Sequence, residues 1–328
     1  MTSPSRKTKP AKRKGKTVET VLLFGSNGFV GTYLAKEFLD SGYRVVASDV
    51  AGSPSPSLQS DAFLSCNILD EDQVERVVRE TKPDLIVNLA AISSVGQSWQ
   101  MPKKTVMINL IGSLNMMEAA KDLETTPKIL TIGSSEEYAP SNQPLHEESP
   151  LLANNPYGIS KVGQEQFSNI YSDRYDMRVY KVRAFNHTGV GQADTFVLPS
   201  FCKQAAAIEK TGCDGTIEVG NLDIKRDFSD VRDVVRAYRL LLESDYVGMV
   251  FNIGSGKAYS LRALLESIIS NCSQDIHIEI DPMRFRPSDN PVICCDNGKA
   301  EALLGWTPRY EIADTLKAMY QHYLLEVE

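Results

Sequence analysis

Several proton-handling side chains follow an apolar run in the stretch TIGSSEEYAP, residues 131–140. They are two hydroxyls, two carboxylates and a phenol, contributed by Ser134, Ser135, Glu136, Glu137 and Tyr138. Such groups at the end of a parallel strand are typical of an active site. Two chemistries are open at this point: a glutamate removes a proton from carbon, or the site balances charge while a cofactor moves a hydride.

A tyrosine and a lysine four residues apart lie in NPYGISK, residues 155–161. At the start of a helix, this spacing places Tyr157 and Lys161 on one face. A lysine ammonium near a phenol favours the phenolate, so Tyr157 becomes a usable acid or base near neutral pH. Because such pairs also occur by chance on helix surfaces, the interpretation depends on Ser134 and on a nucleotide site upstream.

That nucleotide site is predicted between the first strand and its helix. The turn has the spacing GxxGxxG and consists of Gly25, Ser26, Asn27, Gly28, Phe29, Val30 and Gly31. Its glycines allow a tight turn and the close approach of a pyrophosphate to the helix N-terminus, whose N–H groups and dipole favour an anion.

Asp49 follows 18 residues after the last of these glycines, at the end of the second strand. A carboxylate there accepts hydrogen bonds from the adenosine ribose and repels a 2′-phosphate. No Lys or Arg stands in the next several residues. We therefore expect NAD(H) as the favoured cofactor, with NADP(H) as the alternative. The competing interpretation is that Asp49 is an ordinary solvated aspartate in a turn, with no role in cofactor binding.

Strand-like apolar runs alternate with helical segments from residue 20 onward. Strands are predicted at 21–25, 43–48, 63–68, 85–90 and 128–134, with helices up to about 41 and over 70–81 and 103–123. This alternation predicts an α/β fold with a Rossmann-type, doubly wound parallel sheet. We expect a disordered basic tail at 1–18, a dinucleotide-binding domain at 19–185 and a smaller α/β substrate domain at 186–328, partly interwoven with the first.

Composition and charge exclude several functional classes. The chain has 328 residues and a net charge of −7, but residues 1–18 hold seven Lys/Arg and no acid, which leaves −14 on the remainder. An acidic body argues against nucleic-acid binding, and the tail is either a solvated extension or a polyanion-binding patch. No apolar run reaches the ~18–20 residues of a membrane span, and there is no signal-peptide pattern, so a cytoplasmic location is expected.

The six cysteines show no CxxC spacing and the four histidines do not cluster, so no metal site is predicted. Reduced thiols suit a cytosolic protein. Cys294 and Cys295 are adjacent, which leaves a redox pair open beside the favoured interpretation of ordinary strand packing.

The glycine spacing resembles the extended branch of the short-chain dehydrogenase/reductase superfamily, the NAD-dependent epimerase/dehydratase family, and the similarity covers about residues 20–325. NLAAISSV, residues 88–95, is similar to the fourth-strand motif of that branch. The resemblance implies a catalytic set of Ser134, Tyr157 and Lys161, in which the tyrosine exchanges a proton with a sugar oxygen. It also implies cofactor contacts from Asn67, Ile68, Leu89, Ala90, Ala91, Tyr157 and Lys161. One departure is Ala139, where the family usually has glycine.

Within that branch, three later segments are similar to enzymes that act on GDP-sugars. FNHTGVGQ, residues 185–192, resembles the reductases of GDP-4-keto-6-deoxy-D-mannose, whereas the GDP-mannose 4,6-dehydratases usually have FNHESPRRG. Glu136 stands where a dehydratase keeps its base, so this lyase is the alternative, and a non-catalytic NAD-binding regulator is a remote third. The resemblance implies GDP-sugar contacts from Asn186, Val197, Arg226 and Arg286; structural ion pairs with Asp227 or Asp289 are the alternative for the two arginines.

The resemblance further implies a homodimer formed through two helices per subunit. These correspond to the predicted helices at 103–123 and 156–173. Met107, Leu110, Met116 and Met117 are expected to add apolar surface to the first helix, although a stripe of methionines more often belongs to the core than to an interface.

Overall fold

The computed structural model of the chain describes residues 18–285 and 290–326. Its strands are β1 (Thr20–Phe24), β2 (Arg44–Asp49), β3 (Ala62–Ser65), β4 (Leu85–Asn88), β5 (Lys128–Ser134), β6 (Arg178–Ala184), β7 (Asn186–Thr188), β8 (Gly215–Val219), β9 (Lys225–Asp230), β10 (Val250–Ile253), β11 (Ala258–Ser260), β12 (Ile276–Ile280) and β13 (Val292–Ile293). Its α-helices are α1 (Phe29–Asp40), α2 (Glu71–Thr81), α3 (Val95–Gln100), α4 (Pro102–Val106), α5 (Gly112–Lys121), α6 (Pro156–Tyr175), α7 (Val197–Thr211), α8 (Val231–Glu243), α9 (Leu261–Ile269), α10 (Gly298–Leu304) and α11 (Ile312–Leu325).

The large sheet has seven strands in the order β3-β2-β1-β4-β5-β6-β10. All of its strand pairs are parallel. The strand order reverses between β1 and β4, and such a reversal opens a crevice at the carboxyl ends of the strands. The predicted doubly wound, Rossmann-type α/β fold is therefore confirmed.

Alternation along β1 explains why both faces of this sheet are covered. Every residue of β1 is buried, and successive side chains point to opposite faces. Val21 and Leu23 pack in one apolar cluster with residues of α1 and α8. Leu22 and Phe24 pack in another cluster with residues of α2 and α5. An apolar strand without polar alternation thus needs helices on both sides of the sheet.

The second half of the chain supplies smaller sheets. Strand β9 pairs with β7, β11 and β13, while β12 pairs with β8. Helices α7, α9 and α11 bury their apolar faces together over these strands. Strand β10 also comes from the second half, yet it pairs with β6 at the edge of the large sheet. The domain boundary near residue 186 stays a prediction.

The predicted helix over 103–123 differs from the structure in an informative way. The segment consists of α4, a π-helical turn at Met107–Ile111, and α5. Met116 and Met117, expected to add apolar surface, are fully buried in the cluster with β1 and α2, so that expectation is wrong. Met107 is 45% exposed and Leu110 is partly exposed. Across the part of the chain that the structure describes, no helix combines the length and apolarity needed to span a membrane.

Candidate active site

The glycine turn after β1 packs directly against the end of β4. Gly25 has φ of +73°, and a Cβ added to it would lie 2.5 Å from the backbone nitrogen of Ala90. A Cβ on Gly31 would lie 2.4 Å from the carbonyl oxygen of Ser26. Glycine is therefore required at both positions. At Gly25 the reasons are the left-handed backbone conformation and the close backbone contact, and at Gly31 the reason is the close contact alone. The predicted turn has the expected strand–turn–helix context.

The N-terminus of α1 suits a pyrophosphate. Its N-cap is Gly28, which has no side chain to satisfy the first N–H groups, and the first turn contains no acidic residue. Phe29 and Val30, the first helical residues, are partly exposed. Free N–H groups and the positive end of the helix dipole favour an anion at this place. The residues present therefore fit a dinucleotide cofactor.

Asp49 joins the glycine turn to the loop after β2. Its Oδ2 accepts a hydrogen bond from the Asn27 backbone nitrogen at 3.1 Å, and its Oδ1 accepts one from Ala51 at 3.2 Å. The Asn27 side chain donates to the Ser53 carbonyl at 3.0 Å and accepts from the Ser55 backbone nitrogen at 2.8 Å. A negative charge thus lies beside the turn, at the end of the second strand as predicted.

The remaining predicted cofactor residues follow β3 and β4. Leu89, Ala90 and Ala91 are partly exposed at the carboxyl edge of the sheet, and Asn67 is exposed after β3. Ile68 is buried and packs closely on Gly112, because a Cβ added to Gly112 would lie 2.8 Å from the Ile68 side chain. The cofactor roles of these residues stay predictions.

Ser134, Tyr157 and Lys161 are brought together by the end of β5 and the start of α6. Asn155 caps α6 by accepting a hydrogen bond from Gly158 N at 2.9 Å. One turn later, Lys161 Nζ donates to the Ile132 carbonyl at 2.7 Å and lies 5.9 Å from the centroid of the Tyr157 ring. The predicted face carrying both side chains is thus directed at the strand that ends in Ser134.

Burial dominates the electrostatics of this set. It lowers the pKa of Lys161 to about 8, and Glu137, when it is ionised, acts in the opposite direction. It raises the pKa of Tyr157 above its ordinary value, while a hydrogen bond with the Ser134 side chain acts in the opposite direction. The phenolate expected from the nearby Lys161 is therefore not the form seen here, because burial outweighs that effect. Tyr157 is a protonated phenol, and it is a suitable proton donor to a substrate oxygen.

Glu136 lies at the same site but is held by a different partner. Its Oε2 accepts a hydrogen bond from the Asn155 side chain at 2.9 Å, and the residue is partly exposed. Asn155 is also the cap of α6, so the carboxylate is fixed next to the helix start that carries Tyr157. A carboxylate in this position is accessible to a substrate, as a base for proton abstraction from carbon must be.

A buried polar network behind the site was missed by sequence reasoning. Asn109 accepts from Ile92 N at 2.8 Å and donates to the Ser160 hydroxyl at 2.9 Å. Ser113 accepts from Asn88 at 2.9 Å and from Gln164 at 3.0 Å. The available signal was the presence of amides within an otherwise apolar helical segment, because buried polar groups need partners.

The segment at residues 185–192 lies against helix α1. The Thr188 hydroxyl donates to Gln192 Oε1 at 2.7 Å, and the Tyr33 hydroxyl of α1 donates to the Val190 carbonyl at 2.9 Å. The His187 ring stacks on Phe29 with a centroid separation of 6.4 Å. The segment that resembles the reductases is therefore packed on the helix that begins at the glycine turn.

The predicted substrate residues lie on several elements. Asn186 begins β7, Val197 begins α7, and both are partly exposed. Arg226 is 6% exposed on β9 and donates to the Asn290 carbonyl at 2.7 Å. Asp227, suggested as an ion-pair partner of Arg226, instead accepts hydrogen bonds from Ser255, Gly256 and Cys295. Arg286 lies outside the described residues.

Two further predictions concern the six cysteines and the binding of a metal ion. All six cysteines are free, so Cys294 and Cys295 do not form a disulfide. Among residues 18–285 and 290–326, no group of three or more His, Cys, Asp or Glu side chains is arranged to hold a metal ion.

The fold and the site together define a dinucleotide-dependent enzyme of the extended short-chain dehydrogenase/reductase class. A family model described as GDP-mannose 4,6 dehydratase matches residues 22–319. The chain therefore belongs to the GDP-mannose 4,6-dehydratase family, whose members are NAD(P)-dependent Rossmann-fold enzymes of GDP-sugar metabolism.

Individual relatives carry two different activities. The GDP-6-deoxy-D-mannose reductase of Pseudomonas aeruginosa is 33% identical over 240 residues, covering 72% of this chain and 79% of the relative. A GDP-mannose 4,6-dehydratase of Vibrio cholerae is 26% identical over 359 residues, covering 93% and 96%.

Solved structures show the same fold. The protein called RMD from Pseudomonas aeruginosa, in complex with NADPH, superposes with a TM-score of 0.82 at 28% identity, covering 95% of this chain and 99% of that one. A UDP-glucose 4-epimerase from Brucella ovis, in complex with NAD, gives a TM-score of 0.84 at 25% identity, covering 95% and 100%.

Proposed function

We propose that the protein reduces the C4 carbonyl of GDP-4-keto-6-deoxy-D-mannose to a hydroxyl, using NAD(P)H and forming GDP-D-rhamnose. The observation that carries the proposal is the segment FNHTGVGQ, which lacks the arginine pair usual in dehydratases and packs on the first turns of α1. The similarity to the Pseudomonas aeruginosa reductase supports the same assignment.

Each residue of the set has a role in this reaction. A reduced nicotinamide cofactor supplies the hydride when bound. Tyr157 gives its phenolic proton to the carbonyl oxygen, and Ser134 orients that oxygen by a hydrogen bond. Lys161, held on the Ile132 carbonyl, places a titratable amine 5.9 Å from the centroid of the Tyr157 ring, where its charge stabilises the phenolate that remains.

We further propose NADH as the preferred cofactor. Asp49 supports this choice, because its carboxylate is fixed at the end of β2, where a 2′-phosphate would meet negative charge. NADPH bound to the Pseudomonas aeruginosa relative is the reason to test both. Parallel measurements of kcat/KM with NADH and NADPH decide the preference.

A dehydratase is the second candidate, and Glu136 is the observation that favours it. Its carboxylate is fixed beside Tyr157 and is partly exposed, as a base for the C5 proton would need to be. A non-catalytic NAD-binding regulator is disfavoured, since both Tyr157 and Lys161 are present and brought together.

Incubation of the purified protein with the keto sugar and NADH tests the proposal. The near-ultraviolet absorbance of the reduced cofactor should fall, and NMR should show the reduced GDP-sugar. Conversion of GDP-mannose alone to the 4-keto product would establish the dehydratase instead. NADH oxidation no faster than in a Tyr157→Phe control would refute the reductase.

We also propose that Asn186, Val197, Arg226 and Arg286 contact the GDP-sugar and that the protein forms a homodimer. The dimer is supported by an apolar face on α6, where Ile159, Phe167 and Ile170 are 55%, 38% and 51% exposed. Met107, 45% exposed, lies in the π-helical turn, which contacts α6. Light scattering coupled to size exclusion distinguishes dimer from monomer, and Ile170→Asp should shift a dimer of this kind towards monomer.

A further inference from the structure

A carboxyl group that the proposed reaction does not use is buried directly beneath the site. Glu137 has no exposed surface, and its Oε1 accepts a hydrogen bond from the Ser134 backbone nitrogen at 2.6 Å. Within the described residues its second oxygen, Oε2, accepts no hydrogen bond. A buried carboxyl oxygen without a donor is costly when it is charged, so such a group needs a structural or functional reason.

Gly133 leaves the space that the carboxyl group of Glu137 occupies. A Cβ on Gly133 would lie 2.3 Å from Glu137 Oε1 and 2.8 Å from the Val182 carbonyl oxygen. Only glycine therefore lets the carboxyl reach the backbone of the next residue, Ser134. The contact fixes the strand end from which the Ser134 hydroxyl is presented.

The charged groups around Glu137 come from each element packed against it. Helix α6 contributes Lys161, Glu165 and Tyr157, and strand β6 contributes Arg183. The segment that follows Glu137 contributes Tyr138 and Glu147, which both contact Arg183. Arg183 Nε lies 3.8 Å from Glu137 Oε2, but the guanidinium donates instead to both Glu165 oxygens, at 2.8 and 2.6 Å. Its Nη1 donates to the Tyr138 hydroxyl and to the Glu147 carbonyl, both at 2.9 Å. The arginine charge is thus directed mainly at Glu165.

Glu137 and Lys161 are anchored on the same strand end. Lys161 Nζ donates to the carbonyl of Ile132, and Glu137 Oε1 accepts from the N–H of Ser134, two residues further along β5. We propose that Glu137 is a positioning residue that holds Ser134 through one oxygen and, through its protonation state, sets the proton affinity of Lys161 and Tyr157. This inference rests on the proposed reductase function for its kinetic consequence only.

The direction of the effect follows from burial and charge. Burial and the neighbouring Glu165 raise the pKa of Glu137 to about 8, so near neutral pH it is a neutral acid. When it ionises, its charge raises the pKa of both Lys161 and Tyr157. Lys161, whose charge stabilises the phenolate left on Tyr157, then keeps its proton to higher pH, and reduction continues further into the alkaline range.

A first test uses folding and is independent of activity. Glu137→Gln keeps the shape and the acceptor for Ser134 N–H but removes the ionisation. Because the folded-state pKa is raised, the stability that Glu137 contributes is fully present below its ordinary pKa of about 4.5 and is lost as pH rises through about 8. The melting temperature of Glu137→Gln relative to wild type should therefore increase between pH 5 and about pH 8.5, whereas the exposed control Glu148→Gln should show a constant difference.

A second test uses the pH profile of kcat/KM with the keto sugar. Wild type and Glu137→Gln should agree below about pH 6, where Glu137 is neutral, and the alkaline limb of the variant should lie about one pH unit lower. At pH values above that limb the variant is then about tenfold slower, while Glu148→Gln follows wild type.

Three results would overturn the proposal: a melting-temperature difference independent of pH, an unshifted alkaline limb, or a Glu137→Gln variant that does not fold. Absence of reductase activity in the wild type refutes the proposed function alone, because the unfolding experiment still measures Glu137.

Discussion

Replacement of Gly25 by alanine tests whether the turn after β1 is held by a direct backbone contact. Gly25 has φ of +73°, and alanine in the left-handed region costs roughly 1–2 kcal/mol. The added Cβ would also lie 2.5 Å from Ala90 N and 2.7 Å from Leu89 C, both of them backbone atoms. Overpacking against such rigid atoms costs about 1–3 kcal/mol more. The expected loss of unfolding free energy is therefore about 2–5 kcal/mol.

Gly42 provides a matched control for the conformational part of that loss. Its φ is +86°, and a Cβ added there would meet nothing within 4 Å. Gly42→Ala should therefore lose only the roughly 1–2 kcal/mol of the left-handed conformation, with no change in cofactor binding. The difference between the two variants isolates the contact with the end of β4.

Urea denaturation of both variants gives the two free energies, provided that the m-value is unchanged. Fluorescence titration with NADH gives the dissociation constants, and we expect weaker binding for Gly25→Ala only, because displacing the turn moves the N–H groups of α1. Equal destabilisation of the two variants, or an unchanged dissociation constant for Gly25→Ala, would refute the reasoning.

Three further changes separate the roles of other residues. Tyr157→Phe should lower kcat about 10²–10⁴-fold while NADH still binds, because only the transferable proton is removed; steady-state kinetics and a binding titration together check this. Glu136→Gln should leave reduction of the keto sugar within about tenfold of wild type, whereas a dehydratase should lose kcat by about 10²-fold or more. Asp233→Ala should lower the free energy of unfolding, measured by urea denaturation, by about 3–5 kcal/mol, because it leaves a buried arginine without its partner. Asp233 is fully buried and accepts hydrogen bonds from Arg236 at 2.8 Å, Arg309 N at 2.8 Å and Tyr310 N at 3.0 Å.

The local parts of the fold and site were accessible from sequence because their causes are local. An apolar run, a glycine turn and a helical period predict β1, the turn and α1 without reference to any distant residue. The spacing of Tyr157 and Lys161 predicts a shared face in the same way. Ser134 is predicted to lie beside this pair because the end of its strand and the start of the helix that carries the pair meet at one edge of a parallel sheet.

Long-range and orientational features were not accessible in this way. The apolar run at 250–253 predicts a strand, but no local feature of the sequence indicates that this strand pairs with β6. The π-helical turn at Met107–Ile111 contains the buried Asn109 and ends with a hydrogen bond from Gly112 N to the Met107 carbonyl, and no local feature of the sequence predicts it. Met116 and Met117 could be assigned to core or surface only once the rotation of α5 was known.

The pair Glu136–Glu137 shows the same limit at the site itself. Both residues have the same side chain, and neither composition nor spacing decides which one faces inward. The short 3₁₀ turn at Ser135–Glu137 directs Glu136 to the Asn155 side chain and Glu137 to the Ser134 backbone. One carboxylate is thus placed at the surface of the site and the other beneath it.

Backbone contact also fixes the distance between the two halves of the catalytic set. A Cβ on Gly158 would lie 2.3 Å from the Glu136 carbonyl oxygen, so the start of α6 packs directly on the turn that follows Ser134. Tyr157 precedes this glycine, and Ser134 lies two residues before the contacted carbonyl. Since two backbones in contact move less freely than two side chains, the proposed donors Ser134 and Tyr157 are held in place before any ligand arrives. The same construction at Gly25 fixes the glycine turn on β4, so the proposed cofactor-binding and catalytic residues are positioned by the sheet rather than by mobile loops.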